Sequence, residues 1–119
     1  MRVMVLVKAN NDSEAGVMPD EDILTRMGAY NEELVKAGVL LAMDGLHPSS
    51  KGLRMRFDGA QRTLTDGPFA ETKEQFLGFY IVDVADLDEA LGIARKLGEA
   101  NPGGAFEVRP LAVYYPAGV

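Results

Sequence analysis

The chain has 119 residues, of which 47% are hydrophobic and 25% charged, and its formal net charge is −6. This length fits one domain, residues 1–119, and the composition is that of a soluble globular protein. The acidic charge disfavours direct contact with nucleic acid. No apolar run approaches the ~20 residues that a membrane span needs, so we expect a cytoplasmic protein. The absence of cysteine excludes disulfides, thiolate metal sites and a cysteine nucleophile.

Hydrophobic periodicity predicts the first elements in chain order. Residues 3–8 form a short strand that is apolar on both alternating sets, which indicates burial on both faces. After a polar loop, Asp20 opens a segment with apolar residues at three- and four-residue spacing, and Gly38 stands just past its end, so this segment is an amphipathic helix. Residues 39–43 form a second apolar strand, which leads into a plain loop, DGLHPSSKG.

The second half of the chain predicts a hairpin and then another strand, helix and strand. Residues 53–58 and 62–66 alternate in polarity on either side of a glycine-containing turn, which is typical of a hairpin. Residues 77–84 form a strand apolar on both faces, and the next helix has a capping box of Asp86 and Glu89. The last strand spans residues 106–115, in which Pro110 indicates an edge or a bulge.

This order predicts an α+β fold. Without the hairpin, the chain is strand, helix and strand twice over, which is the ferredoxin-like split βαβ arrangement with two helices on one face of an antiparallel sheet. The strands are apolar on both sides, so the second face would be an exposed apolar patch unless it meets a ligand or another subunit. A face-to-face homodimer is the economical solution, because two copies of one surface complement each other about a two-fold axis.

Five ionisable residues are candidates for a functional site. His47, the single histidine, could be a general base or a turn residue, and with no second histidine nearby we expect no metal ion and no cofactor. The segment TDGPFAETKEQ concentrates Asp66, Glu71 and Lys73 before a strand, where a Glu71–Lys73 pair could orient a polar ligand or be a solvated surface pair. If Arg109 points inward, its guanidinium would need a negatively charged partner. That partner is either a carboxylate of this segment, in a structural ion pair, or an anionic group of a ligand.

The run DGPFAETKE, which starts at Asp66, resembles the DGPF-domain branch of the YCII-related family. The upstream GLHPS, the GF of the strand at residues 77–84 and the later EVRP match as well, so the resemblance spans nearly the whole chain. It implies a dimeric α+β barrel, in which ferredoxin-like subunits pack sheet to sheet. This implication agrees with the doubly apolar strands.

The resemblance also bears on activity. Some YCII-related proteins are thought to be enzymes through a dyad of a histidine in the first helix and a nearby aspartate, and one branch is linked to dehalogenase-like chemistry. The first helix here, ILTRMGAYNEELVKAG, has no histidine, so the dyad does not carry over, and His47 lies in a different element. DGPF proteins also resemble partners of extracytoplasmic-function sigma factors by genomic association, which implies a regulatory or accessory role.

Two functional hypotheses follow. In the first, the segment is a rigid lip at the end of the sheet that presents Asp66, Glu71 and Lys73 beside His47 and Arg109, around a pocket near the dimer interface that binds a small polar molecule and supports acid–base chemistry. In the second, the dimer is an accessory module for a sigma-factor-linked partner, without catalysis. A purely structural motif, with Phe69 buried at the interface and Thr72 or Glu71 satisfying the turn, is the remaining alternative.

Overall fold

A computed structural model describes residues 1–69 and 75–112. A 3-10 turn, Ser49–Lys51, precedes the third strand in sequence. The strands and α-helices of the described residues are, in order, β1 Arg2–Lys8, α1 Asn11–Glu14, α2 Glu21–Lys36, β2 Leu40–Gly45, β3 Leu53–Asp58, β4 Gln61–Asp66, β5 Phe76–Asp83, α3 Leu87–Ala100 and β6 Phe106–Pro110.

Four of the strands form an antiparallel sheet in the order β2-β5-β1-β6. The α+β prediction is confirmed, and a ferredoxin-like arrangement fits this order, because two strand-helix-strand units interleave in one sheet. β6 lies at an edge, which accounts for Pro110, whose missing N–H costs least where one side of a strand is unpaired. The predicted hairpin is also confirmed, since β3 pairs with β4 in a separate two-stranded sheet.

The two faces of the four-stranded sheet differ in burial. α2 and α3 cover one face, and the core between helices and sheet consists of Val3, Val5, Val7, Leu34, Tyr80, Val82, Val84, Ala90, Ile93 and Leu97. Successive strand residues point to opposite faces, so the neighbours of these valines lie on the other side. We call that side the open face, and its central apolar residues, Met4, Leu6, Phe79 and Ile81, are half-buried.

Local capping explains where the two long helices begin. The Asp20 carboxylate accepts the N–H of the third helical residue of α2 at 2.8 Å, and the Asp86 carboxylate accepts the N–H of Glu89 in α3 at 2.9 Å. The Glu89 carboxylate reaches back to the N–H of Ala85 at 2.8 Å, one residue before the cap. Both predicted helix starts are therefore confirmed, with the capping box of α3 displaced by one residue from its usual form.

Four details differ from the prediction. The polar loop after β1 contains the short helix α1, and the loop DGLHPSSKG contains the 3-10 turn that buries Ser49. β2 is an exposed edge strand, with the Met43 side chain 44% exposed, because it has a neighbour on one side only. β6 ends at Pro110, and residues 113–115 of the predicted last strand lie outside the described residues.

None of the helices in the described part of the chain is long and apolar enough to cross a membrane.

Candidate functional site

The end of the sheet at which β1 and β2 finish and β5 begins carries the loops of interest. In the antiparallel register, Gly78 of β5 pairs with both Val7 of β1 and Gly45 of β2. The strands approach so closely here that a Cβ on Gly78 would lie 2.7 Å from the Asp44 carbonyl oxygen, which explains a glycine at this position. The Leu46 N–H extends the pairing by donating to the Leu77 carbonyl at 2.8 Å. His47 therefore follows directly from a well-fixed strand end.

A buried serine joins three separate segments at this end of the sheet. Ser49 is 8% exposed, and its backbone N–H donates to the Glu14 carboxylate at 3.0 Å while its hydroxyl donates to the second oxygen of the same carboxylate. The Ser49 hydroxyl oxygen in turn accepts the N–H of Phe69 at 3.0 Å. Because hydrogen bonds to an ionised group are the stronger kind, the Glu14 carboxylate is a firm anchor for this segment.

Glu14 is held in place by the cap of its own short helix. The Asn10 side chain accepts the N–H of Ser13 at 2.8 Å, and the Ser13 hydroxyl accepts the N–H of Asn10 at 2.8 Å, which closes a reciprocal capping box at the start of α1. Glu14 is the last residue of α1, so the cap fixes the position from which its carboxylate reaches Ser49.

The Asp66-Gly67-Pro68-Phe69 turn packs directly on this serine segment. The Gly67 N–H donates to the Gly52 carbonyl at 3.0 Å, and a Cβ on Gly67 would overlap the Ser49 carbonyl. Beyond the turn, which includes a cis Gly67–Pro68 peptide, the Phe69 ring lies under the Arg54 guanidinium, 4.0 Å from its centroid. These contacts fix the turn against the body of the protein.

The structure places His47 and Asp66 on two segments that touch. His47 lies two residues before Ser49, and Asp66 directly precedes Gly67, so the Ser49–Gly67 and Ser49–Phe69 contacts bring their neighbourhoods together. Both side chains are exposed to solvent. An imidazole and a carboxylate at the rim of one end of the sheet are groups that can bind a polar molecule or exchange a proton with it.

The other three candidates are placed differently. Arg109 lies on β6, the edge opposite β2, so within one chain about 14 Å of sheet separates its strand from the strand that leads to His47. Its side chain is 72% exposed on the open face and forms a 3.9 Å ion pair with Glu107, two residues away on the same strand. Glu71 and Lys73 lie outside the described residues.

Two surface depressions lie on α2 rather than at the turn. One, of about 480 Å³, is lined by the acidic start of α2, and the other, of about 300 Å³, lies between α2 and β2, where Val35 and Met43 contribute to its wall. Neither lining includes His47 or Asp66. No group of three or more acidic or histidine side chains in residues 1–69 and 75–112 is placed to hold a metal ion.

The shifted pKa values belong to the helix side of the sheet. Burial raises the pKa of the Tyr80 phenol, and a hydrogen bond from the Tyr80 hydroxyl to the Asn31 side-chain oxygen, at 2.7 Å, partly offsets this effect. Burial also raises the pKa of Tyr30, with smaller contributions in the same direction from Glu33 and Tyr80. These phenols are neutral structural groups at physiological pH.

Sequence reasoning missed Glu14 and Ser49, the two residues that hold the turn. The loop containing Ser49 was predicted to be plain, and this prediction was wrong because the 3-10 turn folds the serine into the protein. A signal existed for Glu14, since Asn10 and Ser13 have the spacing of a helix cap. The hydrogen bond between Glu14 and Ser49, 35 positions away, could not be predicted from any local sequence pattern.

The fold defines a small α+β protein with helices on one sheet face and a fixed loop cluster at the sheet end. The model of the YCII-related domain matches residues 1–113, and the chain therefore belongs to the YCII-related family. A relative from Rhizobium meliloti (strain 1021), an uncharacterized protein, is 47% identical over 98 residues, which cover 82% of this chain and 79% of the relative.

Proposed function

We propose that this YCII-related chain belongs to the DGPF branch and binds a small polar molecule at the sheet end, where the side chains of His47 and Asp66 contact the molecule. One observation carries the proposal. The turn that contains Asp66 is fastened to the segment that contains His47, through Ser49 and Glu14. Loops that hold charged groups in fixed positions are suited to recognition, because little ordering entropy is lost when the ligand binds.

The site is proposed to be completed in a homodimer. The open face carries a central apolar row of Met4, Leu6, Phe79 and Ile81, and covering this row with the same row of a second copy gives a sheet-to-sheet dimer of the α+β barrel type. Arg109 lies on this same open face, so its guanidinium would face the second copy. In such a dimer Arg109 could join the site, although its strand lies at the sheet edge opposite β2, which leads to His47.

The proposed chemistry follows from the residue types. Arg109 and Lys73 are cations for an anionic group of the ligand, whereas Asp66 and Glu71 are acceptors for its hydroxyl or amine groups. Histidine is the side chain most often used as a general acid or base, so any acid–base step would use His47, with Asp66 as its partner. The second candidate is an accessory dimer that serves sigma-factor-linked transcription without catalysis. In its favour, neither depression on α2 is lined by His47, Asp66 or Arg109.

A thermal-shift screen tests the binding proposal. The probe is a panel of small carboxylates, amino acids, sugars and phosphorylated metabolites, and a ligand at ~100 times its dissociation constant should stabilise the protein by about 2.7 kcal/mol. His47→Ala and Asp66→Asn should abolish the shift. Asp58→Asn is the matched control, because Asp58 is an exposed aspartate at the far end of the hairpin.

If a hit stabilises wild type and both site variants equally, the proposed site is wrong. If no member of the panel shifts the wild type, and pull-down from a native host recovers a transcription-linked protein, the accessory role replaces the binding role.

A further inference from the structure

The β3–β4 hairpin has one apolar face that the rest of the described residues leave uncovered. Every residue of both strands is exposed. The apolar face carries four large side chains, each more than half exposed: Leu53 at 64%, Met55 at 52%, Phe57 at 66% and Leu64 at 60%. Their shared face follows from the pairing, in which Met55 lies opposite Leu64. A two-stranded hairpin is at best marginally stable in water, so an uncovered apolar face of this kind calls for a partner.

Among the described residues, the hairpin is attached to the rest of the chain through its base and through the face opposite the apolar one. The Gly67 N–H bonds to the Gly52 carbonyl just beyond the two strands, and the Arg54 guanidinium covers the Phe69 ring. Arg54 alternates with Leu53 and Met55 along β3, so its side chain lies on the face opposite the apolar one. The apolar face therefore points away from these attachments.

The charges on the apolar face are arranged symmetrically about its centre. In the register, Asp66 pairs with Leu53 at the base and Arg62 pairs with Phe57 near the tip, while the Met55–Leu64 pair lies midway between them. Arg62 and Asp66 are each two residues from Leu64, or about 7 Å along the strand, in opposite directions. The face thus holds one cation and one anion and is neutral, in a chain whose net charge is −6.

From this pattern we infer that the β3–β4 hairpin is an assembly arm that packs, apolar face to apolar face, on the hairpin of a second copy of this chain. The two-fold axis lies across the strands at the Met55–Leu64 pair, so that the tip of each hairpin covers the base of the other. Arg62 of each copy then meets Asp66 of the other, and Phe57 of each copy covers Leu53 of the other. The two-fold rotation therefore forms the Arg62–Asp66 ion pair twice and the Phe57–Leu53 contact twice.

The area of this face is suited to such a contact. Four large side chains that are more than half exposed amount to roughly 400 to 500 Å², about half of the ~800 Å² that each partner of a standard-size interface buries. The arm contact therefore adds to the proposed contact between open faces rather than replacing it. It goes beyond the proposed function and requires no ligand, although it would place the Asp66 turn at a boundary between two copies.

Cross-linking of single-cysteine variants tests the inference, since the chain has no native cysteine. Leu64→Cys places a thiol on the predicted axis, and Thr63→Cys places one on the opposite face of the same strand as the matched control. Facing sheets lie ~10 Å apart, so a bismaleimide with a short spacer should link two Leu64→Cys chains at least ten times faster than two Thr63→Cys chains. Far-UV circular dichroism and melting curves confirm that both variants are folded.

A second experiment exchanges the two charges. Arg62→Asp and Asp66→Arg should each weaken association in sedimentation velocity by about tenfold, because each brings like charges together twice. The double variant should recover the wild-type dissociation constant, since the pair is reformed between copies. Equal cross-linking at positions 63 and 64, or a double variant no better than the single ones, overturns the inference, and so does a monomeric wild type. The cross-linking result is separate from ligand binding, because neither Leu64 nor Thr63 is a proposed ligand-binding residue, whereas Asp66 belongs to both proposals.

Discussion

Gly67→Ala is the substitution that most directly tests the packing of the turn on the serine segment. A Cβ at this position would overlap the Ser49 carbonyl oxygen, and it would lie 2.5 Å from the Ser49 carbonyl carbon and 3.1 Å from the Ser50 nitrogen. The obstacle is backbone on both sides of one peptide, so no side-chain rotation relieves it. The turn and the segment must therefore separate by about 2 Å to restore ordinary contact distances.

The expected cost follows from the contacts that this separation breaks. The hydrogen bonds from Gly67 to Gly52 and from Phe69 to Ser49 are both 3.0 Å long, and each contributes about 1 kcal/mol. Residual overpacking adds about 1 kcal/mol or more. We expect the free energy of unfolding to fall by about 2 to 4 kcal/mol, which for a domain of this size lowers the melting temperature by about 10 °C.

Urea unfolding followed by circular dichroism measures this effect. Gly45→Ala is the matched control, because Gly45 lies at the same end of the sheet and a Cβ there would meet nothing within 4 Å. The control should unfold within about 0.5 kcal/mol of wild type, as a surface change usually does. A Gly67→Ala variant as stable as this control would show that the turn does not pack on Ser49, and the argument for a fixed site would fail with it.

Three further outcomes are expected. Ser49→Ala removes the hydroxyl between Glu14 and Phe69 and should lower the free energy of unfolding by about 2 kcal/mol in the same assay, whereas Ser50→Ala, on an exposed neighbour, should change it little. Gly28→Ala, in α2 with open space around a Cβ, should raise stability by about 0.5 to 1 kcal/mol, and a decrease would contradict the exposed position of this residue. Burial raises the pKa of the Tyr80 phenol, so as the pH rises through about 10 this phenol loses its proton more readily in the unfolded chain than in the folded protein. The free energy of unfolding should therefore fall as the pH rises. Melting curves from pH 8 to 11 should show a shallower fall for Tyr80→Phe than for wild type.

The parts of the fold that sequence could predict are those whose cause is local. Asp20 and Asp86 cap the helices that follow them within three residues, and the apolar run at residues 3–8 predicts the strand β1. The hairpin was predicted for the same reason, because its turn and its alternation are adjacent in the chain. Alternation assigns two faces to a hairpin, but it does not say whether either face reaches the main sheet, and here β3 and β4 form a sheet of their own.

The candidate site depends on relations that no local pattern records. Arg109 was grouped with the other candidates because an inward guanidinium would need a carboxylate or an anionic ligand, yet the strand order places β6 and β2 at opposite edges. Strand order is set by how all four strands pair, so it becomes visible only with the complete sheet. The DGPF motif was noticed for its charged residues, whereas the structure shows that its glycine and the Phe69 N–H make the contacts that hold it.

The turn, the serine segment and the end of α1 act as one unit, and this bears on how any change near the site should be interpreted. Ser49 supplies the carbonyl that excludes a side chain at Gly67 and also the hydroxyl that accepts from Phe69. A change at either position loosens the same contact, so the losses from Ser49→Ala and Gly67→Ala should overlap rather than add. The unit also holds the segments that carry Asp66 and His47, so under the proposed function loosening it should weaken ligand binding without altering either side chain. The proposed recognition site would therefore depend on residues outside the ligand-binding set, and Glu14, 35 positions from Ser49 in sequence, is the clearest example.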